Sequence, residues 1–240
     1  MLEVKNLKKS FGPFEAVKGI SFTVSKGEVL GFLGPNGAGK STTMRMITGF
    51  LPPTDGTAVI CGHDIGAEPV EAKRCIGYLP ESAPSYRAMV VEEYLRFIAE
   101  IRGFSGRAAK DAVERAIVKA RLEPVARKTI ETLSKGYRQR TCFAQAIIHD
   151  PQVLIMDEPT DGLDPNQKYT VREMIKEMSA EKAIVISTHI LEEVDAVCTR
   201  AIVIADGEIK ADGTPAKLKA MDPSGRLDVV FRNLTNGGAQ

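Results

Sequence analysis

The stretch that most constrains this chain is residues 34–41, Gly-Pro-Asn-Gly-Ala-Gly-Lys-Ser. It matches the pattern G-x-x-x-x-G-K-[ST], in which a glycine-rich loop wraps phosphate groups. The mostly apolar residues 28–33 before it favour a strand, and residues 42–47 after it favour a helix. A helix that starts at such a loop offers free N–H groups and a partial positive charge to an anion.

Each residue type in this loop suits a nucleoside triphosphate. Glycine lets the backbone approach phosphate oxygens that a side chain would hold away. Lys40 reaches the outer phosphates, and the hydroxyl of Ser41 binds Mg²⁺. The alternative is a glycine turn that matches the pattern by chance. The residues predicted to contact the phosphates are Gly34, Pro35, Asn36, Gly37, Ala38, Gly39, Lys40, Ser41 and Thr42.

The size and charge of the chain bear on its class. Its 240 residues allow one large α/β domain, or a core with a small subdomain. With 32 Lys and Arg against 31 Asp and Glu, it lacks the basic excess of proteins that bind nucleic acid or anionic membranes. No apolar run approaches the roughly 20 residues of a spanning helix, and residues 1–9 lack the apolar core of a signal peptide. We therefore expect a cytoplasmic protein that reaches a membrane only through a partner.

The four cysteines are far apart in the sequence and include no C-x-x-C pair. This spacing favours reduced, buried, small apolar residues in a reducing compartment. A zinc site is the alternative. The residues are Cys61, Cys75, Cys142 and Cys198.

Apolar alternation near the N-terminus predicts an antiparallel sheet with one buried face. Its three predicted strands cover residues 2–8, 17–24 and 28–33. The next predicted elements are a strand at 57–60, a helical turn at 70–74 and a strand at 76–79. Helical spacing of apolar residues then predicts three consecutive helices, at 90–102, 107–121 and 136–149.

The second half of the chain predicts a parallel α/β core. Strands at 152–156, 183–187 and 201–204 alternate with helices at about 165–180 and 190–196. Residues 226–231 favour a final strand, and residues 236–238 favour a frayed end.

An acidic pair, Asp157 and Glu158, follows the apolar residues 153–156. Sites in open α/β sheets form at the carboxyl ends of strands, and a P-loop hydrolase needs an acid there to hold Mg²⁺ through water. We therefore predict that Asp157 is the metal residue and that Glu158 orients or polarises the attacking water. The alternative is an exposed acidic pair at a strand end.

Together with four further segments, these motifs resemble the ATP-binding subunits of ATP-binding-cassette (ABC) transporters, over nearly the whole chain to about residue 220. Residues 132–140 resemble the signature loop of that family, and residues 159–165 resemble its D-loop. His189 matches the switch histidine, and Phe11 matches the aromatic residue that stacks on adenine. The motifs occur in the family's order.

Each of these residues also has a structural interpretation. Taken alone, Phe11 fits a core or turn aromatic, and His189 fits a strand-end histidine of no consequence. Ser134 fits the N-cap of a helix, a role compatible with an anion site. His63 and His149 belong to no motif and are predicted to be structural.

The resemblance implies a fold and a domain organisation. The fold is an α/β P-loop NTPase of the RecA-like type, with a parallel core, an N-terminal antiparallel β subdomain and a helical subdomain that carries the signature loop. The ATPase domain spans residues 1–220, with the helical subdomain inserted at about 82–150. Residues 221–240 form a C-terminal tail of unknown role.

The resemblance also implies a mechanism in which two copies face each other head to tail. Each ATP lies between the P-loop of one copy and Ser134 and Gly136 of the other, so that one chain is half of an active unit. Binding of Mg·ATP closes the pair and hydrolysis opens it, and this motion drives a membrane partner. The implied roles are catalysis for Lys40, Glu158 and His189, metal binding for Ser41, Glu81 and Asp157, and ATP binding for Phe11 and Val17 beside the loop residues.

Three positions depart from the family's pattern. Lys135 replaces the second glycine of the signature, Tyr137 replaces the glutamine after Gly136, and Glu81 replaces the glutamine of the Q-loop. These changes bear on rate and coupling rather than on the nucleotide site. Together with residues 78–95, they look most like cassettes of ABC-2-type exporters, including the gliding-motility group.

The loop at residues 81–90, with exposed-looking Tyr86 and Met89, is predicted to receive a helix of the transmembrane permease. A plain surface loop is the alternative. Two other functions are weighed: a soluble ABC ATPase that acts on ribosomes or DNA, and a P-loop kinase or GTPase. The single cassette without a long insertion argues against the first. The switch histidine and the lack of an N-K-x-D motif argue against the second, and no nucleic-acid partner is expected.

Overall fold

The computed structural model describes residues 1–82 and 84–235. The strands are β1 (Leu2–Phe11), β2 (Phe14–Val24), β3 (Val29–Leu33), β4 (Asp55–Ile60), β5 (His63–Asp64), β6 (Ile76–Leu79), β7 (Val153–Asp157), β8 (Ala183–Thr188), β9 (Arg200–Ala205) and β10 (Glu208–Gly213). The helices are α1 (Lys40–Ile47), α2 (Pro69–Arg74), α3 (Val91–Ile101), α4 (Gly106–Lys119), α5 (Lys135–Ile147), α6 (Pro165–Ser179), α7 (Leu191–Val197), α8 (Pro215–Lys219) and α9 (Leu227–Thr235).

The N-terminal sheet has the order β2-β1-β4-β5 and is antiparallel throughout. In β1, Leu2, Val4 and Leu7 are buried, whereas the residues between them are exposed. The alternation confirms the first two predicted strands. Both are longer than predicted, because their pairing continues through polar residues to a tight turn between Phe11 and Phe14.

The third strand predicted for that sheet lies elsewhere, so this part of the prediction is wrong. β3 is in the middle of the second sheet, where it pairs in parallel with β8 and β9. All of its residues are buried. A strand that is covered on both faces has no polar face, which is typical of a parallel core and not of a one-sided antiparallel sheet.

The second sheet has the order β10-β9-β3-β8-β7-β6. Five strands are parallel, and β10 is antiparallel at one edge. Leu30 and Phe32 pack in one apolar cluster with α1, whereas Leu33 packs in another with α3 and α5. The sheet therefore separates two apolar layers. The remaining predicted strands and helices between residues 57 and 204 are confirmed within a few residues.

The helices α3, α4 and α5 confirm the three consecutive helices predicted from apolar spacing. Their chain segment leaves the sheet after β6 and returns to it at β7, and these two strands are neighbours. Tyr94, Val113 and Phe143 are buried in the larger apolar cluster. Among the described helices, none is both long enough and apolar enough to cross a membrane. The domain bounds at 1–220, 82–150 and 221–240 remain predictions.

The strand predicted at residues 226–231 is wrong, because this segment belongs to α9. Leu227 and Val230 are buried, and Phe231 and Leu234 pack against the core. Their spacing of three and four residues is that of a helix, and it extends beyond the short segment that favoured a strand. The frayed end predicted at 236–238 lies outside the described residues. β10, which was not predicted, follows a tight turn at Asp206 and Gly207.

The cysteines are free thiols. Cys142 and Cys198 are buried as predicted, whereas Cys61 and Cys75 are only partly buried. The latter two pack at the margin of the apolar cluster around α1.

Candidate functional site

The carboxyl ends of β3, β7 and β8 meet at one edge of the parallel sheet. Leu33 pairs with Thr188, and Asp157 pairs with Ser187. This register brings together the loop after β3, the acidic pair at the end of β7 and the histidine after β8. An open cavity of about 490 Å³ lies there. The predicted site residues that line it are Phe11, Asn36, Gly37, Gly39, Lys40, Ser41, Thr42, Glu81, Glu158 and His189.

The glycines of the loop meet different physical requirements. A Cβ on Gly34 would overlap the carbonyl oxygen of Ile204, and a Cβ on Gly39 would lie 2.6 Å from the carbonyl oxygen of Ala16. These two glycines let the loop pack closely on its neighbours. Gly37 has a φ of +83°, and the space where its Cβ would be is open. The backbone at Gly37 therefore faces the cavity without a side chain, as a phosphate cradle requires.

Two aromatic rings also line the cavity. Phe11 and Phe14 pair across the turn between β1 and β2, so their side chains lie on the same face. They are 49% and 62% exposed. The sequence analysis predicted only Phe11, although two aromatic residues flanking a Gly-Pro turn were a signal for Phe14. Val17, predicted to hold ATP, is buried beneath Gly39, and Ala16 lines the cavity in its place.

Lys40 is almost fully buried, with 6% of its surface exposed. Its Nζ donates to the carbonyl oxygens of Gly34, at 2.8 Å, and Pro35, at 3.2 Å. The same atom lies 3.5 Å from Oε1 of Glu158. The ammonium is thus held among oxygen atoms beside the open backbone of the loop. Phosphate oxygens offer it the same kind of partner.

Asp157 and Ser41 place two oxygen atoms side by side beneath the cavity. The Oγ of Ser41 donates to Oδ1 of Asp157 at 3.1 Å, and the hydroxyl of Ser187 donates to the same oxygen. Mg²⁺ prefers such hard oxygen ligands and completes its shell with water and substrate phosphates. Within the described residues, no group of three or more His, Cys, Asp or Glu side chains could hold an ion. The hydroxyl and carboxylate oxygens of Ser41 and Asp157 are of the type that fits a magnesium ion. Glu81, the other predicted ligand, is exposed at the rim of the cavity.

Glu158 is buried between a lysine and a histidine. Its Oε2 lies 2.9 Å from Nδ1 of His189, opposite the oxygen that faces Lys40. The backbone of Glu158 has a φ of +50°, and its N–H donates to the carbonyl oxygen of Ser187 at 3.1 Å. This left-handed conformation turns the chain sharply at the end of β7. The carboxylate is held in place from both sides, as a group that orients a water molecule must be.

The signature segment lies away from this cavity. Ser134 is exposed and caps α5, where its hydroxyl accepts a hydrogen bond from the N–H of Tyr137 at 3.4 Å. Gly136 is buried, and a Cβ there would lie 2.6 Å from Oε1 of Gln167. Neither residue is among the described residues that line the cavity. One chain therefore assembles the P-loop, the acidic pair and the histidine, but does not bring the signature residues to them.

The unusual side chains of the signature segment contact their own chain. The amine of Lys135 packs against Gly162 in the D-loop region. The ring of Tyr137 lies 4.2 Å from the guanidinium of Arg140. Both side chains therefore occupy positions within their own subunit.

The two histidines outside the motifs lie away from the cavity. Nε2 of His149 is 2.9 Å from the carbonyl oxygen of Ile76, and burial lowers the pKa of His149 to about 4. Nδ1 of His63 lies 3.3 Å from Glu68 near the surface.

Comparison with known sequences identifies a family model and proteins that are similar to this chain. A family model described as ABC transporter matches residues 17–161. The linearmycin resistance ATP-binding protein LnrL of Bacillus subtilis (strain 168) is 40% identical over 219 residues, which are 91% of this chain and 70% of that protein. The Nod factor export ATP-binding protein I of Rhizobium sp. (strain N33) is 38% identical over 218 residues, which are 90% of this chain and 72% of that protein.

Solved structures confirm the predicted fold. The ATP-binding subunit of an ABC transporter, 31% identical, has a TM-score of 0.86 and covers 98% of this chain and 99% of its own. The dimeric MJ0796, a bacterial ABC transporter cassette, shares the fold at 24% identity, with a TM-score of 0.81 over 89% of this chain and 98% of its own. Because the family model matches more than half of the chain, and relatives match nine-tenths of it, the chain belongs to the ABC transporter family as an ATP-binding subunit that hydrolyses ATP.

Proposed function

We propose that two copies of this chain hydrolyse Mg·ATP at two composite sites of a head-to-tail dimer and so drive a permease, as part of an ABC-2-type exporter. The observation that carries the proposal is the separation of the two anion-binding features. The P-loop lies in the cavity with Glu158 and His189, whereas Ser134 is exposed elsewhere on the chain. A relative named for Nod factor export supports the direction of transport.

At the phosphate end, Lys40 exchanges the carbonyl oxygens of Gly34 and Pro35 for the outer phosphate oxygens of ATP. Glu158 orients the attacking water, and His189 reaches the γ-phosphate from its position beside Glu158.

The oxygen atoms of Ser41 and Asp157 would hold the magnesium ion, with Glu81 at the rim as a third ligand. When bound, magnesium neutralises charge on the phosphate oxygens. Ser187 keeps the carboxylate of Asp157 in position through its hydrogen bond.

At the base end, the rings of Phe11 and Phe14 offer flat apolar surfaces for adenine. Stacking on an aromatic ring contributes about 1–3 kcal/mol per base in nucleic-acid complexes. Val17 supports the loop from below in this arrangement.

The second copy supplies Ser134 and Gly136 to the ATP bound by the first. α5 starts immediately after Ser134, and a helix start offers unpaired N–H groups and a partial positive charge to an anion. The solved dimer of MJ0796 shows that this fold can pair. Two half-sites joined by shared phosphates explain why hydrolysis would separate the copies.

The permease contact is proposed near residues 81–90. Tyr86 is exposed, and its ring meets those of Phe97, at 5.6 Å, and Tyr94, at 6.2 Å, edge to face. This aromatic surface suits the apolar face of a helix. Met89, which looked exposed in the sequence, is partly buried against the core and does not extend the surface. Binding there would hold the subunit at the inner face of the cell membrane.

The proposal is tested by measuring whether ATP holds two copies of the chain together as a stable dimer. Glu158→Gln removes the negative charge that orients water but keeps the shape of the side chain. We expect this variant to bind Mg·ATP without turnover and to run as a dimer in size-exclusion chromatography with light scattering. With ADP, the Glu158→Gln variant should run as a monomer. The control variant Glu192→Gln, at an exposed position, should hydrolyse ATP normally. A Glu158→Gln monomer under saturating Mg·ATP would count against the composite site.

A further inference from the structure

The turn that carries His189 is held from behind by a buried carboxylate. Oγ1 of Thr188 donates to Oε2 of Glu193 at 2.6 Å. The backbone N–H of Ile190 donates to Oγ1 of Thr188 at 3.0 Å. Thr188 and Ile190 are the chain neighbours of His189, so these two bonds fix the backbone on both sides of the histidine.

Glu193 is an unusual residue to bury, since a buried carboxylate needs hydrogen bonds and opposite charge to compensate for lost water. Only 2% of its surface is exposed. Burial raises the pKa of the Glu193 carboxyl, while the Thr188 hydroxyl and the Arg172 guanidinium act in the opposite direction. Its neighbour Glu192, in the same first turn of α7, is exposed. An acidic residue at the start of α7 therefore does not have to be buried.

α7, which carries Glu193, packs against α6, which carries Arg172. Within the described residues, Oε1 of Glu193 has no hydrogen-bond partner, and neither do Nε and Nη2 of Arg172, although all three atoms are buried. The charge of the Arg172 guanidinium lowers the pKa of Glu193, against the larger upward effect of burial. Unpaired buried polar atoms therefore occur on both of these helices.

Both Thr188 and α6 are close in the chain or in the sheet to residues of the ATP site. α6 follows the D-loop region at residues 159–165, which continues directly from Glu158. Thr188 ends β8 next to Asp157 and Glu158 at the end of β7. Glu193 thus contacts the turn that carries the histidine, and its helix packs against the helix that follows the D-loop region.

We propose that Glu193 is a positioning residue for ATP hydrolysis, which holds His189 against Glu158 through its hydrogen bond with Thr188. The inference rests on the roles proposed above for Glu158 and His189. A competing explanation is that Glu193 only stabilises the first turn of α7. The two explanations differ in what happens to turnover in a folded variant.

The test compares Glu193→Ala with Glu192→Ala in the full chain, by steady-state ATPase kinetics and thermal melting. We expect Glu193→Ala to lower kcat by about 10- to 100-fold with little change in the KM for ATP, since a misplaced group harms the transition state more than binding. Glu193→Gln should recover most of the rate, because its amide oxygen still accepts from Thr188. Glu192→Ala should leave kcat unchanged. A folded Glu193→Ala variant with full kcat and a lower Tm would overturn the proposal.

If Glu193→Ala does not fold, Thr188→Val tests the same contact from the other side. It keeps the side-chain shape and removes the donated hydrogen bond, so we expect the same selective loss of kcat. His189→Ala is measured in parallel. Full activity of His189→Ala would refute the role proposed for the histidine. A large loss in His189→Ala with full activity in Thr188→Val would instead refute the positioning role alone.

Discussion

The P-loop and the signature segment each lie at the start of a helix, but they differ in what surrounds them. Lys40, the first residue of α1, is buried among oxygen atoms, and Ser41 contacts Asp157. Lys135, the first residue of α5, is exposed, and so is the cap Ser134 before it. One helix start is therefore surrounded by polar groups of its own chain, and the other is exposed. We infer that the exposed one completes the ATP site of a second copy.

The largest difference between the two helix starts is expected when the lysine at each of them is removed. Lys40→Ala should lower ATP hydrolysis by about 100-fold or more, since a preorganised cation at the outer phosphates is lost. ATP binding, followed with a fluorescent nucleotide, should also weaken. Lys135→Ala is the matched control and should leave binding by the isolated subunit unchanged. Equal losses of ATP binding in Lys40→Ala and Lys135→Ala would contradict the proposed difference between the two helix starts.

Blocking the exposed cap should separate binding from turnover. Ser134→Arg puts a bulky side chain on the surface that we propose faces the second copy, so we expect hydrolysis to fall by about 100-fold, as when a transition-state contact is lost. Affinity for ATP in the isolated subunit should stay within about twofold, as for an ordinary surface substitution. Ser105→Arg, at the exposed N-cap of α4, is the control and should retain its activity. Strong loss of nucleotide affinity in Ser134→Arg would show that the segment acts within its own chain.

The smallest effect is expected at the base end, where contact is apolar and lies within one chain. Phe11→Ala and Phe14→Ala should each raise the KM for ATP by about 5- to 30-fold, which corresponds to about 1–2 kcal/mol, the lower part of the range for loss of one stacking ring. The kcat at saturating ATP should change little. Phe50→Ala removes an exposed ring away from the cavity and should leave the KM unchanged. An unchanged KM in Phe14→Ala would leave Phe11 as the single ring that stacks on the base.

The sequence-based predictions succeeded where a feature depends on residues close together in the chain, and they failed where it depends on distant residues. The helices α3, α4 and α5 were predictable because apolar residues at helical spacing must face one core. β3 was assigned to the wrong sheet, because its residues show that it is a strand but not which strands lie beside it. α9 was mistaken for a strand, because a short apolar segment suits either structure until the surface that it packs against is known. Phe14 was missed because it belongs to no motif.

The amino-acid sequence alone was enough to predict the phosphate loop, because its glycines, lysine and serine act through the conformation of a few consecutive residues. It also determined which residues end the strands of the core. Only the tertiary structure decided that Nδ1 of His189 lies 2.9 Å from Glu158, and that Glu193 is buried behind the histidine. The first contact joins residues that directly follow two neighbouring strands, and the second depends on the packing of α7. Both arise only when the strand order and the apolar layers are in place.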